Sequence, residues 1–341
     1  MAPNVSMNRR GLLFSVVTIA GLFAAITLGG CGDKVPDQSS PRTKVVIGYS
    51  KLRISLPVFV AKERGLFAKH GIEAELRAYD DAQLMITSLV QGNIQVGGYT
   101  ALPISFKAMT GDKRKQLYYL TAMVEDKEHR ISYLLRRKSQ DASKPSVRGI
   151  GDLGGKRIGI LPTIAYRAWI AEILRANGVT VDAKLIENVP PDRQASMLRD
   201  GAVEALFTND PAATAAIRAN IAELISEEVD CPKYFGSPFL FGSFNVEKSW
   251  ADANKDVVKA IAAVLDEAIA IIDKEGVGAN VAMESFISAD YKADVRRYPA
   301  AKYITTSALT VEAVQAVADK YREMGILSER VDVASLVGLP K

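Results

Sequence analysis

Ser88-Leu89-Val90-Gln91-Gly92-Asn93-Ile94-Gln95-Val96 and Ser196-Met197-Leu198-Arg199-Asp200-Gly201-Ala202-Val203-Glu204-Ala205 share one plan. Each reads as a helix end, a glycine that stops it and a short strand. The flanking elements match as well. Before the first stretch the pattern predicts a strand over 44–49, a helix over 56–69, a strand over 74–79 and a helix over 82–91. Pro57 sits in the first turn of the 56–69 helix and Gly71 lies past its end. Before the second stretch come a strand over 156–161, a helix over 165–176 ended by Asn177-Gly178, a strand over 182–187 and a helix over 192–199. A further helix follows each, over 101–110 and 211–219. The same order of elements twice predicts two similar open α/β domains. Strands over 117–124 and 131–135 lie between the copies. After 219 the alternation fades into an extended segment, 238–246, and then helices over 256–274, 279–287 and 311–324. Thr310 caps the last of these and Gly325 ends it. This helical tail is expected to cover the first domain.

The N-terminus reads as an address. Arg9 and Arg10 precede a charge-free apolar run from Gly11 to Gly30. Leu28-Gly29-Gly30-Cys31 then looks like a lipobox, in which a Leu and two small residues precede a Cys that is cleaved and acylated. Asn8-Arg9-Arg10-Gly11-Leu12-Leu13 also faintly resembles a twin-arginine export signal. Residues 1–30 are therefore expected to be a lipoprotein signal peptide, Cys31 the lipidation site and 31–43 a flexible tether, polar and broken by Pro36 and Pro41. Cys231 is then read as a core thiol.

The 341 residues suit two domains, and 48% hydrophobic with 24% charged residues is an ordinary globular composition. Net charge is +4, and loss of Arg9 and Arg10 with the leader leaves +2, too little for a nucleic-acid footprint. Two Cys and two His exclude a disulfide framework and a His-rich metal site. No cofactor and no metal is expected. His70 falls at a helix exit and His129 among charged residues of a surface turn. Gly149-Ile150-Gly151-Asp152-Leu153-Gly154 has dinucleotide-site spacing but precedes a strand instead of following one, so it is read as a loop.

Ligands of open parallel sheets bind beyond the carboxyl ends of the strands. Four such turns carry hydroxyl, amide or charged residues. They are Ser50-Lys51-Leu52-Arg53, Gly98-Tyr99-Thr100-Ala101, Leu161-Pro162-Thr163-Ile164-Ala165-Tyr166 and Phe207-Thr208-Asn209-Asp210-Pro211. Free N–H groups at the helix starts can hold a polar head group; the same residue types also simply cap helices.

Three stretches carry a resemblance to the substrate-binding lipoproteins of ABC importers in the nitrate, sulfonate, taurine and thiamine-pyrimidine branch. They are 57–72 (PVFVAKERGLFAKHGI), 89–97 (LVQGNIQVG) and 152–159 (DLGGKRIG), and 321–327 (YREMGIL) resembles the family's close. The resemblance implies a type II periplasmic-binding-protein fold: two open α/β lobes around a hinged ligand cleft, with a helical C-terminal extension. Lobe I would comprise 44–133 plus 240–341 and lobe II 134–239, with crossings near 131–135 and 239–245. Carried over by position, Lys51, Arg53, Tyr99, Thr100, Thr163, Tyr166 and Asp210 would face the cleft. Sulfonate binders often carry a Trp beside the Asp-Pro of the second lobe; here Thr208 and Asn209 precede Asp210-Pro211.

The resemblance further implies a monomeric, non-enzymatic solute-binding lipoprotein, periplasmic or extracytoplasmic. Its partners would be a small-molecule ligand, an ABC permease with its ATPase, and the membrane through the lipid anchor. Lys51, Arg53 and the helix start near Thr163 point to a small acidic organic solute, sulfonate-like, while Asp210 opposes a bare anion. The alternatives are a thiamine-pyrimidine-precursor-binding protein or enzyme of the same fold, or a lipoprotein presenting ligand to a membrane sensor.

Overall fold

The computed structural model describes residues 42–110, 115–139, 147–228 and 230–341. The expected leader, Cys31 and nearly all of the tether lie outside them. Among the described residues no helix is long and apolar enough to cross a membrane.

Eleven strands are described: β1 (Thr43–Tyr49), β2 (Ile72–Ala78), β3 (Val96–Ala101), β4 (Leu117–Glu125), β5 (Tyr133–Arg137), β6 (Ile158–Ile160), β7 (Ile186–Asn188), β8 (Ala205–Thr208), β9 (Ala222–Leu224), β10 (Phe239–Glu247) and β11 (Lys302–Ile304). They form two sheets, ordered β11-β4-β10-β3-β1-β2 and β7-β6-β8-β5-β9. In the first, β1 runs parallel to β2 and β3, and β10 is antiparallel to β3. In the second, β6 runs parallel to β7 and β8, and β5 is antiparallel to β8. The series β2-β1-β3-β10 thus repeats as β7-β6-β8-β5, which is the doubled α/β plan expected from the sequence.

The two antiparallel members explain how the halves connect. Neither of the expected crossing strands is shared between sheets: β5 pairs only within the second sheet and β10 only within the first. The chain passes between sheets at 126–132 and 225–238, and each antiparallel strand is the one by which it arrives.

Several other boundaries move for physical reasons. The helix expected over 56–69 is two, Leu56–Glu63 and Leu66–Lys69, because Gly65 adopts a left-handed conformation (φ 68°) between them. The strand expected over 182–187 begins as a short 3-10 turn, Ala183–Leu185, because the Asp182 side chain accepts the Lys184 N–H and favours a turn. The tail packs as anticipated, with Lys255–Glu275 lying along Leu56–Glu63. Its buried residues Val258, Ile261, Val264, Leu265, Ala268 and Ile272 follow a 3.6-residue stripe. The last helix, Val311–Glu323, also reaches the second lobe: Tyr321 Oη accepts a hydrogen bond from Trp169 Nε1 at 3.0 Å.

An apolar seam joins the lobes. Trp169 and Tyr166, on the second-lobe helix Ile164–Ala176, pack against Phe241 of β10, and Trp169 also meets Phe239. The buried core is continuous through this cluster. The two connections are also tied together. Arg130 donates to the Glu227 carbonyl, and the Cys231 N–H donates to Ser132 Oγ at 3.4 Å.

Glu125, at the end of β4, fixes the first connection. Its buried carboxylate accepts from Ile131 N at 2.9 Å, Ser132 N at 2.7 Å and Ser132 Oγ at 2.8 Å. Burial raises its pKa above the ordinary 4.5, outweighing the bonds from Ser132 and Ile131 that lower it. A carboxyl whose pKa is higher folded than unfolded binds its proton more tightly in the folded state, so its contribution weakens as pH rises between the two values. Relative to Glu125→Gln, the wild-type chain should lose stability as pH rises from about 4.5 toward neutrality. Denaturant midpoints of both proteins across that range measure this, and a pH-independent difference would contradict it.

Candidate functional site

The carboxyl ends of all six parallel strands meet at one cavity of about 590 Å³ between the lobes. The first lobe contributes Ser50, Lys51 and Leu52 after β1, Tyr79 to Ala82 after β2, and Tyr99 to Ala101 at the end of β3. The second contributes Leu161 to Thr163 after β6, Pro190 to Asp192 after β7, and Asn209 and Pro211 after β8. Ile54, Ile104, Tyr166, Phe241, Ser288 and Tyr291 complete the walls. Just before the cavity β1 and β3 approach closely: a Cβ on Gly98 would stand 2.2 Å from the Gly48 carbonyl oxygen.

Five of the seven residues expected at the cleft line it: Lys51, Tyr99, Thr100, Thr163 and Tyr166. Their roles differ from what the sequence suggested. Lys51 stands at the rim, its ammonium 3.1 Å from Asp80, with 48% and 87% of the two side chains exposed. Tyr99 supplies a ring, since its hydroxyl is bonded to Thr121 Oγ1 in the core. Thr163 Oγ1 caps its own helix by accepting from Tyr166 N at 3.2 Å. The adjoining Ile164 N–H is taken across the cleft by Gln83 Oε1, also at 3.2 Å. Two of the N–H groups that appeared available for an anion are therefore already bonded.

Arg53 and Asp210 are not in the lining. They are 2% and 0% exposed and face each other at 3.5 Å, one from each lobe. Arg53 also donates to the carbonyls of Pro299 and Arg130. Asp210 accepts from Tyr133 Oη at 3.0 Å and, through its other oxygen, from Thr214 N at 3.1 Å and Thr214 Oγ1 at 2.6 Å. The anion reading placed Arg53 in the cleft. The 3-10 turn Arg53–Ser55 instead carries it inward, where its charge is matched by Asp210. Nor do the histidines line the cavity: His70 meets Glu267 and His129 meets Asp126, each at 2.9 Å.

Behind the wall, Thr100 Oγ1, Tyr166 Oη and Asn209 Oδ1 are closed off from solvent. Burial pushes the Tyr166 pKa well above its usual value, the Cys231 thiol and the Glu125 and Asp210 carboxylates add to the rise, and a hydrogen bond with the Asn209 side chain opposes it. The walls of Tyr79, Tyr99, Tyr166, Phe241 and Tyr291 make the chamber largely aromatic.

Two α/β lobes, two connections and a cavity across the strand ends define the two-lobed architecture of the periplasmic-binding-protein fold. The chain belongs to the NMT1-like family, which it matches over residues 38–284. It is 22% identical to the nitrate/nitrite binding protein NrtA of Nostoc, over 79% of this chain and 67% of that protein. Its fold is that of the periplasmic aliphatic sulphonate binding protein SsuA from Escherichia coli (TM-score 0.66, 17% identity, 87% of this chain and 98% of that one). The periplasmic nitrate-binding protein NrtA from Synechocystis is similar in the same way (TM-score 0.68, 15% identity, 87% and 85%).

Removing one partner of a buried ion pair strands the other charge, at a cost of about 3–5 kcal/mol, whereas removing both strands neither. Arg53→Ala and Asp210→Ala should each destabilise by that order, and the double variant by clearly less than their sum. Urea unfolding of the four proteins measures the coupling; strict additivity would show that the pair contributes no specific link between the lobes.

Proposed function

We propose that this chain is the solute-binding component of an ABC importer, which captures a small organic molecule between its lobes and hands it to a membrane permease driven by an ATPase. The observation that carries this reading is the cavity itself, placed where both lobes contribute walls and lined by the turns after all six parallel strands. Membership of the NMT1-like family and the likeness to nitrate- and sulphonate-binding proteins support it. Within this reading Tyr99, Thr100 and Tyr166 contact the solute, Thr163 shapes the second-lobe wall and Lys51 stands at the entrance. Arg53 and Asp210 hold the lobes together beneath them. The chain binds and releases without altering its ligand.

The lipobox at Cys31 supports an extracytoplasmic, lipid-anchored location; of the tether expected over 31–43, Thr43 belongs instead to β1, where it pairs with Ile72. Lobe opening would widen access to the cavity. Two single hydrogen bonds span its walls, Ile164 N to Gln83 Oε1 and Tyr291 Oη to the Pro191 carbonyl at 2.9 Å. Their loss is a small barrier beside that of the buried seam, so motion about 126–132 and 225–238 is the natural route.

Native mass spectrometry of the protein isolated from its own cell envelope should show one small molecule per chain. Unfolding and refolding should strip it and increase the radius of gyration in solution scattering, and adding the extracted molecule back should reverse the change. Absence of any bound mass together with an unchanged radius would overturn solute capture.

A further inference from the structure

We propose that residues 288–297 form an arm of the first lobe that grips the second and sets how readily the cleft opens. The proposal rests on solute capture for its purpose; the grip itself is a matter of contacts within the protein.

The arm is anchored at both ends in the first lobe. Before it, the Phe286 ring stacks on Phe59 with centroids 4.4 Å apart and meets Tyr49 edge-on at 5.8 Å. After it, the buried Asn280 side chain donates to the Tyr298 carbonyl at 3.1 Å, and Arg53 donates to the Pro299 carbonyl. Within the arm the bonds are local. Asp294 N donates to the Tyr291 carbonyl at 3.1 Å, Arg297 N to the Asp294 carbonyl at 2.8 Å, and Tyr298 Oη to the Tyr291 carbonyl at 3.1 Å. They hold Tyr291 and Asp294 where both side chains reach the second lobe.

Two polar contacts make the grip. Tyr291 Oη donates to the Pro191 carbonyl at 2.9 Å, at the start of the helix Pro191–Arg199. Asp294 pairs with Arg218, at the end of the helix Ala212–Arg218. These two helices pack on each other, so the arm holds one layer of the second lobe at two points. Asp294 is 8% exposed, and a carboxylate so buried needs a cation. Arg297 of the arm itself stands 3.9 Å away and is 60% exposed, which makes it the weaker partner.

The arm is built to let go. Most of residues 288–297 are exposed, with Asp294 and Val295 the buried ones. A segment with so little apolar anchorage detaches at small cost. Its far end lies at the hinge, because Arg53 bonds both the Pro299 carbonyl and the Arg130 carbonyl of the first connection. Its near end lies at the cavity, where Ser288 and Tyr291 line the wall. Release therefore frees the cavity side of the second lobe, while the aromatic seam and the Arg53–Asp210 pair keep the hinge side joined. A solute resting on Tyr291 in the gripped state favours that state, and by linkage the grip favours the bound solute.

Hydrogen–deuterium exchange and solution scattering of the refolded, solute-free full chain test this, with Tyr291→Phe, Arg218→Gln, Asp294→Asn and the double variant of the last two. Peptides covering 288–299 and 161–167, the turn across the cleft, should exchange about threefold faster in Tyr291→Phe. They should exchange about tenfold faster in Arg218→Gln or Asp294→Asn, and the radius of gyration should rise in each. The double variant should exchange no faster than the faster of its two parents, because the second substitution removes nothing that the first has left. Peptides of β1 and β4 should keep the wild-type rate, since the first lobe itself stays intact. Tyr291→Phe removes a single oxygen and keeps the test open if a charge variant fails to fold. Unchanged exchange at 161–167 with an unchanged radius overturns the arm. Acceleration shared equally by β1 and β4 overturns it too, since that is ordinary loss of stability. Either result leaves solute capture to be judged by the native mass measurement on the wild-type chain.

Discussion

A guanidinium that is almost wholly buried dictates what surrounds it. Arg53 leaves the end of β1, and its neutraliser, Asp210, comes from the second lobe at the end of β8. Its two carbonyl partners come from the first connection, at Arg130, and from the C-terminal extension, at Pro299. One side chain therefore reads the position of four separate parts of the chain. Asp210 extends the constraint, taking the Tyr133 hydroxyl from β5 and anchoring Thr214 in the helix Ala212–Arg218. The aromatic seam of Trp169, Phe239 and Phe241 supplies cohesion without direction. The ion pair supplies direction, because a misplaced lobe would leave two charges without water or partner.

This division of labour explains the character of the cavity. Charges that a cleft might have offered to a solute are used to join the lobes, and helix N–H groups at its lip are used for capping and for the Gln83 contact. What remains in the wall is largely aromatic surface, with the charged groups Lys51, Asp80 and Asp192 at its rim. Relatives on the same fold include proteins named for binding nitrate and sulphonate. The fold therefore fixes where a ligand sits, while the residues at the strand ends decide what it is.

The doubled α/β plan was legible in the sequence because periodicity and glycine stops are local signals. The echo of 88–96 in 196–205 is a helix end, a glycine stop and the entry into β3 and β8, which occupy matching places in the two sheets. The rule that ligands meet strand ends also placed Thr100 and Tyr166 at the cavity. The same rule applied to β2 and β7 would have found Tyr79 to Ala82 and Pro190 to Asp192, which carry the acidic rim. Arg53 was misplaced because Lys51 and Arg53 look alike in a turn; only the distant Asp210 makes one buried and the other exposed. Ser288 and Tyr291 reach the cavity from the C-terminal extension, and nothing local in 276–298 signals it. Thr163 reads equally as a cap or a ligand group in sequence, and in the structure it caps its helix and lines the cavity.

The placement of β10 has a consequence for how the chain becomes a structure. All five strands of the second sheet come from one unbroken stretch, β5 to β9. The first sheet is different: β10 lies between β3 and β4, which have no direct pairing of their own. During synthesis the second lobe has every strand it needs once residue 224 has emerged. The first lobe remains two unjoined pieces until residue 247, with its antiparallel partner still unmade. The half of the protein that begins first is the half that must finish last, and its central pairing waits on contacts far apart in the chain, with β11 joining β4 later still.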